Sequence, residues 1–284
     1  MKCIIAGCIY KNEGYLVKAF ENIKKIQSLF NETKIILAYD NSGDNTLKEI
    51  CEIKKDKSFD IEIIINKKLR FNHPRCRAYN IAQARNQILD RIYNTYNNSY
   101  DTNSNDKYCD YNYFIFADLD DIFTFNIHPE ILQKYIPKKY DPENIKLPDW
   151  DIIDYEWDSL TFYNKYYYDT WAVSIDHLQD SSWDTDKDGW EAQKEILTYL
   201  KETMDNLETN MRPIDSAFNG FAIHRLDKFK DIRFNPATIL NNKLIIDCEW
   251  RDFYKQANKK GLKVMITKDC LFDPMKDVIP ELYK

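Results

Sequence analysis

Glycine is scarce in this chain, with 6 Gly among 284 residues. Loops that cradle phosphate groups with backbone N–H donors depend on closely spaced glycines, so a Gly-rich phosphate-binding loop is not expected. No apolar run is long enough to span a membrane. The apolar residues 1–10 end at the polar residues 11–13, too early for the core of a signal peptide. We therefore expect a soluble, cytoplasmic protein.

Histidine is also rare, and the seven cysteines form no CxxC pair. The four histidines are scattered without HxxxH or HxxE spacing, so we expect core or surface side chains, not metal ligands. An odd number of cysteines favours reduced thiols over a disulfide framework or a zinc site. The net charge of −6 disfavours non-specific binding to nucleic acid. A cation would be needed to bring a diphosphate close to so many carboxylates.

The first 125 residues alternate between strand and helix patterns. Strands are predicted over residues 3–10, 34–39, 61–65 and 113–117. Helices are predicted over residues 15–30, from a cap at Asp44 or Asn45 through Ile53, and over 81–93. This order predicts an α/β fold with a Rossmann-like, mainly parallel sheet.

The pattern is less regular beyond residue 125. Helices are predicted over residues 127–140, 190–207 and 252–261, with strands over 217–223 and 262–267. Residues 94–112 are predicted to be a surface loop, and residues 149–175 mix aromatic and acidic side chains. Without repeats or a clear linker, we expect a single domain, with a nucleotide-binding half at 1–125 and an acceptor-binding half at 126–284.

Three carboxylates end the buried strand at residues 113–121, which read YFIFADLDD. Ligands of open α/β sheets bind at the carboxyl ends of the strands. Carboxylates at that position can hold a divalent cation between the protein and a phosphorylated ligand. The alternative is a solvated acidic turn.

Polar residues also follow two other predicted strands, at 10–13 and 40–42. The carboxyl ends of parallel strands lie along one edge, so we expect these segments to form one crevice with residues 118–120. Ionised carboxylates there would accept hydrogen bonds from ribose hydroxyls and base N–H groups. Arg85 could pair with an aspartate or a phosphate, or be a surface charge.

Four segments of the first half together resemble family 2-type GT-A glycosyltransferases. Residues 39–46 (YDNSGDNT) are similar to the family segment VDDGSxDxT, and residues 7–13 (GCIYKNE) to its PxYNE strand end. Residues 84–86 (ARN) and 117–121 (ADLDD) match its ARN helix and DxDD motif. The order and spacing of the four segments agree with the family, although the Pro of PxYNE is absent.

The second half resembles a subset of these enzymes. Residues 167–173 (YYDTWAV), 219–223 (NGFAI) and 248–254 (CEWRDFY) are similar to the segments YYDxWAL, NGxAI and CEHVDFH. Trp250 and Tyr254 stand where that subset has histidine.

The resemblance implies a metal-dependent transfer of a sugar from a nucleotide-diphosphate donor to a hydroxyl of a glycan or protein. It implies Mn²⁺ or Mg²⁺ at Asp120 and Asp118, and a UDP-sugar donor in preference to a GDP-sugar. The implied nucleotide-sugar site comprises Ile9, Tyr10, Asn12, Glu13, Asp40, Asn41, Ser42, Arg85, Asp118 and Leu119. The implied acceptor site comprises Asp169, Trp171, Asn219 and Gly220.

Glu249 is the first candidate for the base that activates the acceptor hydroxyl, since it aligns with the glutamate of the family's ED position. Asp252 follows three residues later, so both carboxylates are expected on one helix face, toward the crevice. Asp169 is a competing candidate. A role for Glu249 at the positive end of a helix dipole remains open.

Two other functions also remain open. Residues 116–121 (FADLDD) look like the nucleophile strand of haloacid-dehalogenase phosphatases, with Asp118 as nucleophile, although Ile122 stands where that family usually has Thr. The chain could also be a catalytically inactive GT-A scaffold that binds nucleotide or glycan.

Overall fold

A computed structural model describes residues 1–66, 76–93, 108, 110–136, 157–165, 167–176, 178–179, 189–240 and 243–274. The strands are β1 (Lys2–Ile9), β2 (Glu32–Tyr39), β3 (Ile61–Ile65), β4 (Tyr113–Ala117), β5 (Ser159–Phe162), β6 (Ser174–Ile175), β7 (Leu178–Gln179), β8 (Met211–Pro213), β9 (Phe221–Arg225), β10 (Ala237–Leu240), β11 (Lys243–Ile246) and β12 (Val264–Thr267). The helices are α1 (Leu16–Gln27), α2 (Thr46–Ile53), α3 (Arg77–Tyr93), α4 (Pro129–Gln133), α5 (Gly189–Asp205) and α6 (Glu249–Lys259).

Eight strands form one mixed sheet in the order β3-β2-β1-β4-β9-β5-β12-β8. The first four strands of this order are parallel to one another, and β9 is antiparallel to both of its neighbours. Residues from both halves of the chain therefore contribute to a single sheet. The predicted α/β class with a mixed, mainly parallel sheet is confirmed.

Alternate residues of the parallel strands enter two hydrophobic clusters, one on each face of the sheet. Ile5 of β1 packs with residues of α1 and α2 on one face. Its neighbours Ile4 and Ala6 pack with residues of α3, α5 and α6 on the other. A parallel strand buried on both faces needs an almost continuous apolar sequence, which explains the composition of β1 and β2.

The first half follows the predicted elements closely. Strand β3 has the predicted ends, and helix α3 begins at Arg77, four residues before the predicted start at residue 81. Only residues 108 and 110–112 of the predicted loop at 94–112 lie within the described chain.

Three predictions for the second half need correction. The helix predicted over 127–140 is a helix only over Pro129–Gln133, and residues 137–140 lie outside the described residues. The strand predicted at 217–223 begins at Phe221, because Gly220 adopts a positive φ of 79° that ends an extended backbone. Strand β5 was not predicted, because its four residues lie within the aromatic and acidic segment 149–175.

Within the described ranges, no helix is both long and apolar enough to cross a membrane.

Candidate active site

A cavity of about 470 Å³ lies at the carboxyl ends of β1, β2 and β4, and we call it the strand-end cavity. Helix α3, residues 168–171 and the start of α6 complete its wall. Ten predicted site residues line it: Ile9, Tyr10, Asn12, Asp40, Arg85, Asp118, Asp120, Asp169, Trp171 and Glu249. The edge of the parallel sheet thus brings together side chains that are more than 200 residues apart in the sequence.

Asn12 links the ends of two strands to helix α2. Its backbone N–H donates to Oγ1 of Thr46 at 2.9 Å, and its Nδ2 donates to the carbonyl oxygen of Leu119 at 2.9 Å. Its Oδ1 accepts from the backbone N–H of Tyr10 at 2.6 Å. Since Asn12 is 4% exposed, these bonds satisfy a buried amide and fix the floor of the cavity.

Asn66, which is itself bonded to Gln87 of α3, fixes the orientation of Asp40. Nδ2 of Asn66 donates to Oδ1 of Asp40 at 2.6 Å, and Oδ1 of Asn66 accepts from Nε2 of Gln87 at 2.9 Å. The carboxylate of Asp40 is therefore oriented within the wall of the cavity. A carboxylate fixed in this way can accept a hydrogen bond from a ribose hydroxyl or a base N–H group.

Arg85 is the buried cation of the site and binds two carboxylates. Its Nη1 donates to Oε1 of Glu249, and its Nη2 donates to Oδ1 of Asp118 at 3.1 Å. Burial disfavours the charged guanidinium, but the charges of Glu249 and Asp118 outweigh burial and raise the pKa of Arg85 above its usual value. The prediction that Arg85 pairs with an aspartate is confirmed, and a surface position is excluded.

Aromatic rings enclose the guanidinium of Arg85. Its Cζ lies 4.5 Å from the ring centroid of Trp250, 5.1 Å from that of Phe218 and 5.4 Å from that of Phe234. Trp250 is fully buried. The ring of Trp250 therefore packs against the guanidinium of Arg85 within the hydrophobic core. The Trp250 side chain does not line the strand-end cavity.

Both oxygens of the Asp118 carboxylate are engaged. Oδ2 accepts from the hydroxyl of Tyr168 at 2.6 Å, opposite the bond from Arg85 to Oδ1. The backbone N–H of Asp118 donates to the carbonyl oxygen of Gly220 at 3.0 Å, and the N–H of Tyr168 donates to Oδ1 of Asn219 at 3.0 Å. Asn219 and Gly220 thus position Asp118 and Tyr168 from behind and do not line the cavity.

Asp120 is a carboxylate of the cavity beside two other acidic side chains, Asp118 and Asp121. Burial, followed by the charges of Asp118 and Asp121, raises the pKa of Asp120 to about 7. Its Oδ1 accepts from the backbone N–H of Ile122 at 3.3 Å. No described residue forms an ion pair with Asp120, so a bound cation would relieve the repulsion among these carboxylates.

The carboxylates at 118 and 120 fit a cation that is shared with a ligand. Across the described residues, no three His, Cys, Asp or Glu side chains are grouped to hold a metal ion by themselves. Mg²⁺ in proteins is commonly bound through one or two carboxylates together with substrate phosphates. The residues present therefore fit Mg²⁺ or Mn²⁺ bridged to a diphosphate, with Asp120 as the available ligand.

Two further carboxylates face the cavity. Burial is the main cause that raises the pKa of Glu249, and the charge of Arg85 acts in the opposite direction. Burial and the charge of Asp118 raise the pKa of Asp169 to about 8. Oδ1 of Asp169 also accepts from the N–H of Ala172 at 3.3 Å, so this side chain caps a short 3₁₀ helix.

Several predicted site residues have other positions. Glu13 is exposed and accepts from Nδ2 of Asn45 at 2.6 Å, at the start of α2. The common face expected for Glu249 and Asp252 is wrong: Asp252 lies away from the strand-end cavity and accepts from Nε2 of Gln256 at 2.6 Å. Both residues lie in the first turn of α6, where side chains three residues apart differ in direction by about 60°, and this difference places Glu249 and Asp252 in the walls of two different cavities. Three other predicted residues, Asn41, Ser42 and Leu119, also do not line the cavity.

Among the cavity residues that were not predicted, Tyr168 and Arg77 have a bearing on the site. Tyr168 belongs to the YYDxWAL-like segment, but its bond to Asp118 joins residues 50 positions apart and has no local signal. Arg77 lines the cavity, is exposed and forms no ion pair with the described residues. A prediction that began α3 at residue 77 would have placed Arg77 in the first turn of this helix.

Comparison with known proteins supports the fold. No protein-family model and no curated protein sequence matches this chain. Among solved structures, Staphylococcus aureus TarS matches with a TM-score of 0.53 and 14% identity, over 100% of this chain and 38% of that chain. S. aureus TarS 1–349 in complex with UDP-GlcNAc matches with a TM-score of 0.50 and 12% identity, over 96% of this chain and 57% of that one.

This chain thus spans 57% and 38% of the length of these two solved structures. At 12–14% identity the likeness concerns the fold alone. The chain has the GT-A fold of nucleotide-sugar glycosyltransferases.

Proposed function

We propose that this chain is a metal-dependent glycosyltransferase that moves a sugar from a nucleotide-diphosphate sugar to a hydroxyl of a glycan or protein acceptor. The observation that supports it most is the carboxylate cluster of the strand-end cavity, where Asp120 lacks a cation beside Asp118 and Asp121. A cluster of this kind needs positive charge before a diphosphate can approach it.

Residues 1–125 would bind the donor in this scheme, and residues 126–284 would provide the acceptor half. Asp40 would accept a hydrogen bond from the base or ribose, and Arg77 would contact the diphosphate at the open side of the cavity. Arg85 has two carboxylate partners, so its role would be to hold Glu249 and Asp118 in place. The UDP-GlcNAc complex of S. aureus TarS 1–349 supports a UDP-sugar as donor.

Asp120 would hold Mn²⁺ or Mg²⁺, with Asp118 beside it. When bound, the cation would stabilise the negative charge that develops on the departing nucleoside diphosphate. Tyr168 and Arg85 would keep the Asp118 carboxylate oriented during the reaction. Trp171 offers an apolar face for a sugar ring within the same cavity.

The structure gives little support to a phosphatase of the haloacid-dehalogenase type. A nucleophilic aspartate must present a carboxylate oxygen to the phosphorus atom. Both oxygens of Asp118 already accept hydrogen bonds, from Arg85 and from Tyr168. Phosphate release from a simple phosphomonoester that is lost in Asp118→Asn would restore this alternative.

A donor panel tests the proposal. The protein is incubated with UDP-, GDP- and other nucleotide-sugars and Mn²⁺, and nucleoside diphosphate release is followed with and without EDTA. We expect release from at least one donor, fastest with a UDP-sugar and abolished by EDTA. Metal-dependent nucleotide binding without turnover on any donor would identify an inactive scaffold instead.

Glu249→Gln tests the proposed base. This change keeps the shape of the side chain and its bond with Arg85 but removes the carboxylate that would accept the hydroxyl proton. We expect turnover to fall by roughly 10²–10⁴-fold with little change in donor binding, as for the loss of a general base. A loss below tenfold would make Glu249 a structural partner of Arg85, and Asp169→Asn would then be measured in the same assay.

A further inference from the structure

A second cavity of about 470 Å³ lies beside α6. It is lined by Ser174, Asp215, Ser216, Asn235, Pro236, Asp247, Cys248, Arg251, Asp252, Lys255, Asn258 and Lys259. Of these residues, Cys248 alone also lines the strand-end cavity. The second cavity therefore has a largely different set of lining residues.

The two cavities are neighbours, because the same chain segments line both. Residues 169–174 place Asp169 and Trp171 in the strand-end cavity and Ser174 in the second cavity. Helix α6 contributes Glu249 to the former and Asp252 to the latter. Cys248 lines both, and its Sγ lies 4.0 Å from Oε2 of Glu249. The wall of the second cavity at Cys248 therefore adjoins the side chain of the proposed base.

The second cavity has a wall suited to a sugar. All of its lining residues except Pro236 and Cys248 are polar or charged. Carboxylate oxygens accept hydrogen bonds from sugar hydroxyls, while hydroxyl and amide groups can both donate and accept.

Three cations lie along one face of α6 and line the second cavity. Arg251, Lys255 and Lys259 are spaced by four residues, which places them one above another on a helix. Nη1 of Arg251 donates to Oδ1 of Asp247 at 2.7 Å, so this charge is neutralised. Lys255 and Lys259 are exposed and form no ion pair with any described residue. Four residues advance a helix by about 6 Å, so both ammonium groups can reach one anionic group.

We propose that the second cavity binds the acceptor, and that the acceptor is a saccharide with a negatively charged carboxylate or phosphate group. Lys255 and Lys259 would bind that group, while Asp215, Asp252 and Asn235 would accept or donate hydrogen bonds at the sugar hydroxyls. This inference rests on the proposed function, because it assigns the acceptor of the same transfer reaction.

The test measures binding and transfer separately. Glucuronic acid and glucose 6-phosphate are the charged probes, and glucose is their neutral counterpart, each titrated in the presence of UDP and Mn²⁺ by ligand-observed NMR. The variant Lys255→Gln/Lys259→Gln is compared with Lys54→Gln/Lys57→Gln, a pair of exposed lysines on another part of the surface. Release of nucleoside diphosphate to water, without acceptor, reports the donor site of each variant.

We expect at least one charged probe to bind more tightly than glucose. Its dissociation constant should rise about tenfold in Lys255→Gln/Lys259→Gln, as for the loss of two exposed charge contacts, and stay unchanged in the control pair. Donor hydrolysis should be the same in both variants. The response of the two charged probes distinguishes a carboxylate from a phosphate.

Equal affinity for charged and neutral probes, or equal binding by both lysine variants, would overturn the inference. If no donor is turned over while a charged probe still binds through Lys255 and Lys259, the proposed transfer fails and the anionic saccharide site stands. The two failures are therefore distinguishable.

Discussion

Arg85, Glu249 and Asp118 form a buried charge cluster beneath the strand-end cavity. One guanidinium faces two carboxylates; Arg85 and Glu249 are buried, while the Asp118 side chain is 26% exposed. The removal of one partner from such a cluster leaves an uncompensated buried charge, which typically costs about 3–5 kcal/mol. The cluster thus keeps charged groups in a buried wall and fixes the positions of both carboxylates.

Tyr168→Phe tests how Asp118 is positioned. The change removes the hydroxyl that donates to Oδ2 of Asp118 at 2.6 Å and keeps the ring. A hydrogen bond to a charged group contributes about 1.5–3 kcal/mol, so kcat/KM for the donor should fall roughly ten- to hundredfold, with weaker apparent Mn²⁺ affinity.

Tyr135→Phe is the matched control for Tyr168→Phe. Its hydroxyl donates to Asp269 at 2.8 Å, and its side chain does not line the strand-end cavity. We expect unchanged Mn²⁺ affinity and kcat/KM in Tyr135→Phe. Equal kinetics in the two variants would remove the positioning role of Tyr168.

His224 is a buried residue whose neutrality favours the folded state. It stacks on Phe114 with a centroid distance of 4.5 Å, and neither ring nitrogen has a hydrogen-bond partner among the described residues. Burial, with a smaller contribution from the charge of Arg85, lowers the pKa of His224 from 6.5 to about 3. The unfolded chain therefore binds a proton at His224 between these pH values, whereas the folded chain does not.

This difference predicts acid sensitivity. Stability from His224 is fully present above the unfolded pKa of about 6.5 and is lost as the pH falls toward the folded pKa. Between pH 7 and pH 5.5 the loss is about 1 kcal/mol, from 1.36 kcal/mol per unit. Urea unfolding of wild type and His224→Phe at both pH values measures it.

The His224→Phe variant should lose about 1 kcal/mol less stability than wild type over that range. An identical pH dependence in His224→Phe would show that folding does not lower the pKa of His224.

At the scale of elements, Gly220 sets the approach between β9 and the acidic strand end. Its φ is 79°, and a Cβ at this position would lie 2.7 Å from Cγ2 of Ile122. Its carbonyl oxygen accepts from the backbone N–H of Asp118 at 3.0 Å. The left-handed backbone and the close contact both require glycine.

Gly220→Ala should destabilise the protein by about 2–4 kcal/mol, from backbone strain and from overpacking against Ile122. Gly261→Ala is the matched control, since Gly261 has a φ of 73° but nothing within 4 Å of an added Cβ. The control should lose about 1 kcal/mol, from backbone strain alone. Equal losses in urea unfolding would contradict a packing role for Gly220.

Part of the site could be predicted from the sequence, because some of its residues directly follow strands that the sequence predicts. Asp40, Asp118 and Asp120 could be predicted together, because they follow predicted parallel strands whose carboxyl ends share one edge. Glu13 and Asn219 could not be assigned correctly. Their hydrogen bonds with Asn45 and Tyr168 depend on loop geometry that has no periodic pattern.

The second half of the fold was harder to predict, for a reason that concerns the whole molecule. In the sheet, β9 lies between β4 and β5, and β12 lies between β5 and β8. The strands of the second half therefore pair with partners that are distant in the sequence. Short strands such as β5 and β8 gain their stability from these partners and not from their own sequences. The first half pairs its strands through βαβ units, whose alternating pattern is visible in the sequence.

At the scale of the whole molecule, the proposed function requires that the sheet edge hold a cation between Asp120 and a nucleotide diphosphate. The most direct measurement is nucleoside diphosphate release from the preferred donor as a function of Mn²⁺ concentration, for wild type, Asp120→Ala and the exposed control Asp56→Asn. We expect saturable, Mn²⁺-dependent release in wild type and in the control. In Asp120→Ala the rate of release should fall by at least about 10²-fold, because the charge that would hold the cation is removed. Release that is independent of Mn²⁺, or unchanged in Asp120→Ala, would contradict the account.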